Sequence, residues 1–198
     1  DGIANCNFKT TTPSVRSLAA TTRGFTTITD PNPDDTSLFP LECPSNIENF
    51  NAEKCVEGNS YKVTSSTKRI SLWIKNIKLY ITEDIELSEQ IYLTEGSCLY
   101  ILPGKKVSMP QAQNNGQANC MITIGTGANY KLYNLGTITA EKLICTNSST
   151  FFNAGTANIE DRLSGENGQS TISNSGNLKA EEIYAQGNSH IINTGTIE

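Results

Sequence analysis

The feature that most restricts how this chain can fold is a five-residue pattern that returns four times toward its C-terminal end. It stands at Asn134 (Asn-Leu-Gly-Thr-Ile), Asn153 (Asn-Ala-Gly-Thr-Ala), Asn174 (Asn-Ser-Gly-Asn-Leu) and Asn193 (Asn-Thr-Gly-Thr-Ile), at intervals of 19, 21 and 19 residues. Self-similarity near 20 residues marks a solenoid, whose repeats bury their apolar faces only by stacking on one another. Within each repeat the apolar residues alternate: Ile138 with Ala140, Leu143 with Cys145, then Phe151 with Asn153. A period of two belongs to strands, because successive side chains leave a strand on opposite faces. Three short runs and three turn clusters per repeat fit one rung of a parallel β-helix. The Leu-x-x-Leu-x-Leu signature of a leucine-rich repeat is absent.

Alternation also orients the asparagines. Asn134, Asn153, Asn174 and Asn193 each stand two residues beyond an apolar residue expected inside (Leu132, Phe151, Ile172, Ile191). They are expected to point inward at a corner and form a structural column along the coil axis, and Asn also tolerates the left-handed backbone that corners need. The Gly two residues on relieves crowding. By the same rule Phe151 and Ile172 face in, whereas Tyr133, Phe152 and Ile192 form an outward column. Such an apolar stripe needs a cover, either residues 1–57 or another chain.

Upstream, alternation is strong from Tyr61: Ile70-Leu72-Ile74, Ile77-Leu79-Ile81, Ile85-Leu87, Ile91-Leu93 and Leu99-Ile101. Residues Gln111–Gln117 read as a polar surface loop, and Gly125-Thr126-Gly127 as a corner. Residues 1–57 are rich in Thr, Pro and Asp and lack this alternation. They are expected to be an irregular N-terminal cap, with Thr12–Gly24 as a short helix or a Thr-rich strand. The β-helix would then occupy residues 58–198. Because Asn193 opens a new rung that stops at Glu198, the chain is expected to be part of a longer parent protein with further rungs or another domain.

The run ITEDIELSEQIYLTEGSCLYILPGKKV (Ile81–Val107), followed by the Asn-x-Gly repeats, resembles bacterial secreted and surface proteins of the right-handed parallel β-helix class. These include the pectate-lyase-like superfamily and filamentous adhesins. The resemblance implies an all-β, right-handed, single-stranded parallel β-helix on an extracellular or cell-surface protein. Its enzymes use clustered Asp ligands for calcium with an Arg or Lys base, or several Asp with a His motif.

This chain offers little of that chemistry. Asp84 and Asp161 are its only aspartates after residue 35, and His190 is its only histidine. Asp161, Glu160 and Arg162 allow a paired acid and cation, but a solvated turn explains them. Asp30–Asp35 departs from a calcium loop at its sixth and twelfth places. No Cys-x-x-Cys occurs, so no metal site and no cofactor are expected. Glu141, Glu160 and Glu181 recur at one outward position, where flanking Lys142 would relieve their repulsion. The Thr137-Thr139 face breaks off in later repeats, which removes an ice-binding array.

A net charge of −5 with scattered Lys and Arg excludes a basic nucleic-acid face, and no apolar run approaches a transmembrane length. Six cysteines in a Thr/Ser/Asn/Gly-rich chain point to export, with Cys43 and Cys55 as the disulfide candidates and Cys120 and Cys145 as buried thiols. Trp73 and Tyr92, 19 residues apart, face outward as a candidate sugar-stacking pair. The function expected is therefore a non-enzymatic module for adhesion, display or glycan contact, with a glycan or a host or cell-surface protein as partner. A polysaccharide lyase or glycoside hydrolase is the alternative.

Overall fold

The structure, a computed structural model, describes residues 40–88, 91–109, 121–124 and 130–198. Every element among them is a strand, and all inter-strand pairs are parallel, stacked as a β-solenoid of about six turns. The helix expected over Thr12–Gly24, the Asp30–Asp35 turn, the 111–117 loop, the 125–127 corner, Cys6 and Cys120 lie outside the described residues.

Three walls build each turn. The first runs β1 (Glu48–Asn49), β2 (Ser60–Val63), β3 (Lys78–Ile81), β6 (Cys98–Ile101), β9 (Lys131–Asn134), β11 (Thr150–Asn153), β13 (Thr171–Asn174) and β15 (His190–Asn193). The second joins β4 (Ile85–Glu86), β7 (Lys106–Ser108) and the leading halves of β10 (Thr137–Thr146), β12 (Thr156–Glu166) and β14 (Asn177–Ala185), then β16 (Thr196–Ile197). The third carries β5 (Ile91–Tyr92), β8 (Met121–Ile124) and the trailing halves of β10, β12 and β14. The long strands turn from wall to wall where their register slips, between Ala140 and Lys142 and between Ile159 and Arg162. The first wall begins at Glu48, ahead of the expected boundary at residue 58.

One inward column can be followed through the coil: Tyr61, Leu79, Leu99, Leu132, Phe151, Ile172, Ile191. Turn length therefore varies as 18, 20, 33, 19, 21 and 19 residues. The column beside it changes chemistry, from Val63, Ile81 and Ile101 to Asn134, Asn153, Asn174 and Asn193. Each Asn Nδ2 donates to the next Asn Oδ1 at 2.7 Å. The same nitrogens also donate to the backbone carbonyls of Thr156, Asn177 and Thr196, at 2.9, 3.0 and 3.0 Å. The ladder thus satisfies carbonyls that the tight corner turns inward.

The change of column coincides with a change of corner. After Ile101 the chain rounds through Leu102–Lys105, where Lys105 N–H bonds Leu102 C=O (3.1 Å), so that corner meets its own backbone groups. After Asn134 only Leu135 and Gly136 separate the strands. A Cβ on Gly155 would stand 2.2 Å from Gly136 O, and one on Gly176 the same distance from Gly155 O. These glycines are required by the approach of successive turns rather than by their own φ. The left-handed residues lie at another corner, at Asn147 (φ 51), Ser148 (φ 66) and Asn167 (φ 52). The column asparagines end strands and do not use the left-handed conformation that Asn tolerates.

Two apolar clusters form, one on each side of the first wall. The interior holds Val63, Leu79, Ile101, Leu132, Phe151 and Leu163 with their stacked neighbours. Outside, Tyr80, Tyr100, Tyr133 and Phe152 stack ring on ring, with centroids 4.9, 5.0 and 4.8 Å apart and interplanar angles of 23°, 11° and 2°. Ring spacing follows the strand spacing of the wall beneath. Cys43, Ile47, Cys98 and Leu135 pack against this stack. Phe151 therefore faces in and Phe152 out, as alternation requires, yet both are buried.

Truncating Asn153 to Ala removes one of the two acceptors of Asn134 Nδ2 and the donor to Asn174 Oδ1 and Asn177 C=O, and should cost about 2–4 kcal/mol in urea unfolding. Asn193→Ala, at an exposed position, should cost about 1 kcal/mol or less; equal losses would mean the ladder does not stabilise the corner. Phe151→Ala and Phe152→Ala should each lose roughly 3–5 kcal/mol. Burial pushes the Tyr133 phenol up to about 12, with Cys98 beside it adding to the rise, and Tyr100 is raised for the same reason. The folded chain thus favours the neutral phenol. This contribution is complete below the usual tyrosine value of about 10 and is lost as pH climbs toward about 12. An ultraviolet phenolate titration followed alongside circular dichroism should show late-ionising tyrosines whose titration coincides with unfolding.

Candidate functional site

Among the described residues, three large apolar side chains are exposed: Leu41, Val56 and Trp73. Trp73 belongs to the third wall's first turn, where Ile70 and Leu72 fill the interior and alternation throws Trp73 outward. It is 80% exposed. Tyr92, half-buried, lies on the following turn with its ring centroid 6.2 Å from the indole, tilted by 37°.

The contact is diagonal rather than direct. Ser71 pairs with Tyr92, and Leu72 N–H bonds Tyr92 C=O at 2.9 Å while Tyr92 N–H bonds Ile70 C=O at 2.8 Å. The local turn is therefore 21 residues, two more than the interval from Trp73 to Tyr92. The side chains still meet because large rings reach a diagonal neighbour across a strand pair. Sequence spacing placed the two residues on one face and misjudged their offset.

A polar fringe continues from this pair along the same two turns and the turn before them. Lys75 Nζ bonds Glu95 Oε2, and the carboxylate holds the lysine above its ordinary pKa. Asn76 Nδ2 donates to Glu57 Oε1 at 2.8 Å, and Thr94 Oγ1 to Ile74 C=O. The fringe therefore carries both donors and acceptors and a balanced ion pair.

The other candidates do not converge on chemistry. The register slip staggers the acidic column: Glu141 is half-buried, while Glu160 and Glu181 are exposed. Lys142 bridges this turn to the next through Asp161 Oδ2 (3.1 Å), with Glu141 Oε1 at 3.9 Å. Arg162 reaches Glu166 rather than a substrate face, at 3.9 Å. Among the described residues no three His, Cys, Asp or Glu side chains gather as a metal site. An open depression of about 270 Å³ on the second wall is lined by Asn158, Asn177, Leu178, Lys179, Thr196 and Glu198, with Glu198 as its one carboxylate.

Of the expected outward stripe, Tyr133 and Phe152 join the ring stack, while Ile192 is half-buried and outside it. Tyr80 and Tyr100, the stack's first two members, escaped the sequence reading although they sit between inward Leu79 and Ile81 and between Leu99 and Ile101. The expected Cys43–Cys55 disulfide is not formed; both are free thiols on opposite sides of the first wall. Cys55 lies inside and donates its S–H to Asn51 C=O at 3.3 Å, whereas Cys43 packs on the outer rings. Cys145 is a buried interior thiol, as its alternation implies, with its pKa pushed up to about 12 by burial. No family model matches the chain, and neither a curated protein nor a solved structure does.

Proposed function

We propose that this chain is a non-catalytic β-helix module that contacts glycans through Trp73, with Tyr92 beside it, on an exported or cell-surface protein of bacterial type. The observation that carries the reading is Trp73 itself. An indole left 80% exposed, where the other described aromatic rings are buried or half-buried, forgoes a substantial hydrophobic gain. That cost is offset when an apolar face covers it. The axial C–H face of a sugar ring fits such a surface, while sugar hydroxyls need the alternating donors and acceptors that Lys75, Glu95, Asn76 and Glu57 provide. A balanced ion pair in the fringe favours a neutral polysaccharide over a uronic-acid polymer.

Export rests on composition and fold type, since the described cysteines are unpaired. The lyase or hydrolase reading needs an acid and a base turned toward a substrate beside the platform, whereas Lys75 and Glu95 there bond each other. Tryptophan fluorescence should titrate on adding neutral oligosaccharides of the glucan, chitin or mannan classes. Trp73→Ala should weaken binding at least about tenfold, the loss of roughly 1.4 kcal/mol, and leave thermal stability nearly unchanged, as an exposed side chain does. Binding that survives the substitution, or a fluorescence signal indifferent to every polysaccharide class, would reject the platform.

A further inference from the structure

The coil wall sorts the four described cysteines into two sets. Cys55 and Cys145 are in the interior cluster, behind the strands. Cys43 and Cys98 both lie outside, half-buried, against one cluster of stacked rings. Cys98 opens β6, which places it on the same face of the strand as Tyr100. Cys43 lies in the segment ahead of β1 and, like Cys98, packs against the ring cluster of Tyr80, Tyr100, Tyr133 and Phe152. A thiol on the segment that covers the wall and a thiol on the wall itself therefore share one ring cluster.

We propose that Cys43 and Cys98 form a disulfide in the presence of a low-molecular-weight disulfide such as oxidised glutathione, fastening the segment ahead of β1 to the outer ring stack. Cys43 thiolate attacks one glutathione sulfur, giving a mixed disulfide and releasing one glutathione thiolate. Cys98 thiolate then attacks the Cys43 sulfur, closing the S–S bond and releasing the second glutathione. The two glutathione thiolates take up the two protons that the cysteines lose, and the oxidant is reduced by two electrons.

Burial raises both thiols above their ordinary pKa. Lys62 beside Cys43, and Lys78 and Lys131 beside Cys98, act in the opposite direction, while Tyr100 hydrogen-bonds Cys98. Exchange is therefore slow at neutral pH and quickens as pH rises, because the thiolate is the attacking species. The inference is independent of the glycan reading, which uses a different wall.

Trypsin cleavage after Lys and Arg places the six cysteines on six different peptides, so pairing can be assigned directly. The full chain would be incubated with oxidised glutathione, alkylated under native conditions, digested and analysed by mass spectrometry. A cross-linked species joining Gly24–Lys54 to Leu79–Lys105, abolished by reductant, is expected, with Cys55 and Cys145 alkylated only after denaturation. Reduction should lower the melting temperature by roughly 5–15 °C. In Cys98→Ser the glutathione adduct on Cys43 should accumulate. Linkage of Cys43 to Cys6 or Cys120, a Cys43 that remains free, or an adduct that resolves equally fast in Cys98→Ser would overturn the proposal.

Discussion

Everything in this coil depends on successive turns lying in register at the spacing of a parallel sheet. That spacing, about 4.8 Å, lets an asparagine amide reach its equivalent on the next turn at 2.7 Å and still donate to a backbone carbonyl. It also demands the glycines. With turns this close at a two-residue corner, a Cβ at position 155 or 176 would fall 2.2 Å from the carbonyl of the turn before. Amide and missing side chain are two halves of one solution: the glycine lets the turns approach, and the asparagine satisfies the backbone groups this approach buries.

The outer ring stack obeys the same register. Rings 4.8 to 5.0 Å apart on Tyr80, Tyr100, Tyr133 and Phe152 repeat the strand spacing, so a column of aromatic residues on the outer face becomes a physical column. Burial there comes partly from the segment carrying Cys43 and Ile47. The first wall is thus apolar on both faces, which is usual for parallel sheets and unusual for a surface wall. On the third wall, Trp73 is not sheathed in this way, and that contrast makes it a candidate for contact rather than for packing.

Facing, inside or outside, is decided by strand alternation, and among the described residues several expectations show it. Phe151 and Phe152 fell on opposite faces, the four asparagines turned inward, and Trp73 and Tyr92 turned outward. Cover is not decided that way. Nothing in the neighbourhood of Phe152 in sequence announces that Cys43 and Ile47, about a hundred positions earlier, pack against its stack. For the same reason the expected Cys43–Cys55 pairing failed: twelve residues of separation say nothing about which side of a wall each thiol will occupy.

The sequence by itself determined the repeat, the alternation and the asparagine column, because these are local and periodic properties that any strand expresses wherever it packs. Only the tertiary structure decided register. Turns of 18 to 33 residues bring Leu79 to Leu99 but Leu99 to Leu132. An interval of 19 therefore puts Asn134 directly beside Asn153 and leaves Trp73 diagonal to Tyr92. The physical reason is that residues taken up by a corner lengthen a turn without altering the strands it joins. Neighbours across a parallel wall are set by where corners close, and a corner closes where its backbone groups find partners on the turn before.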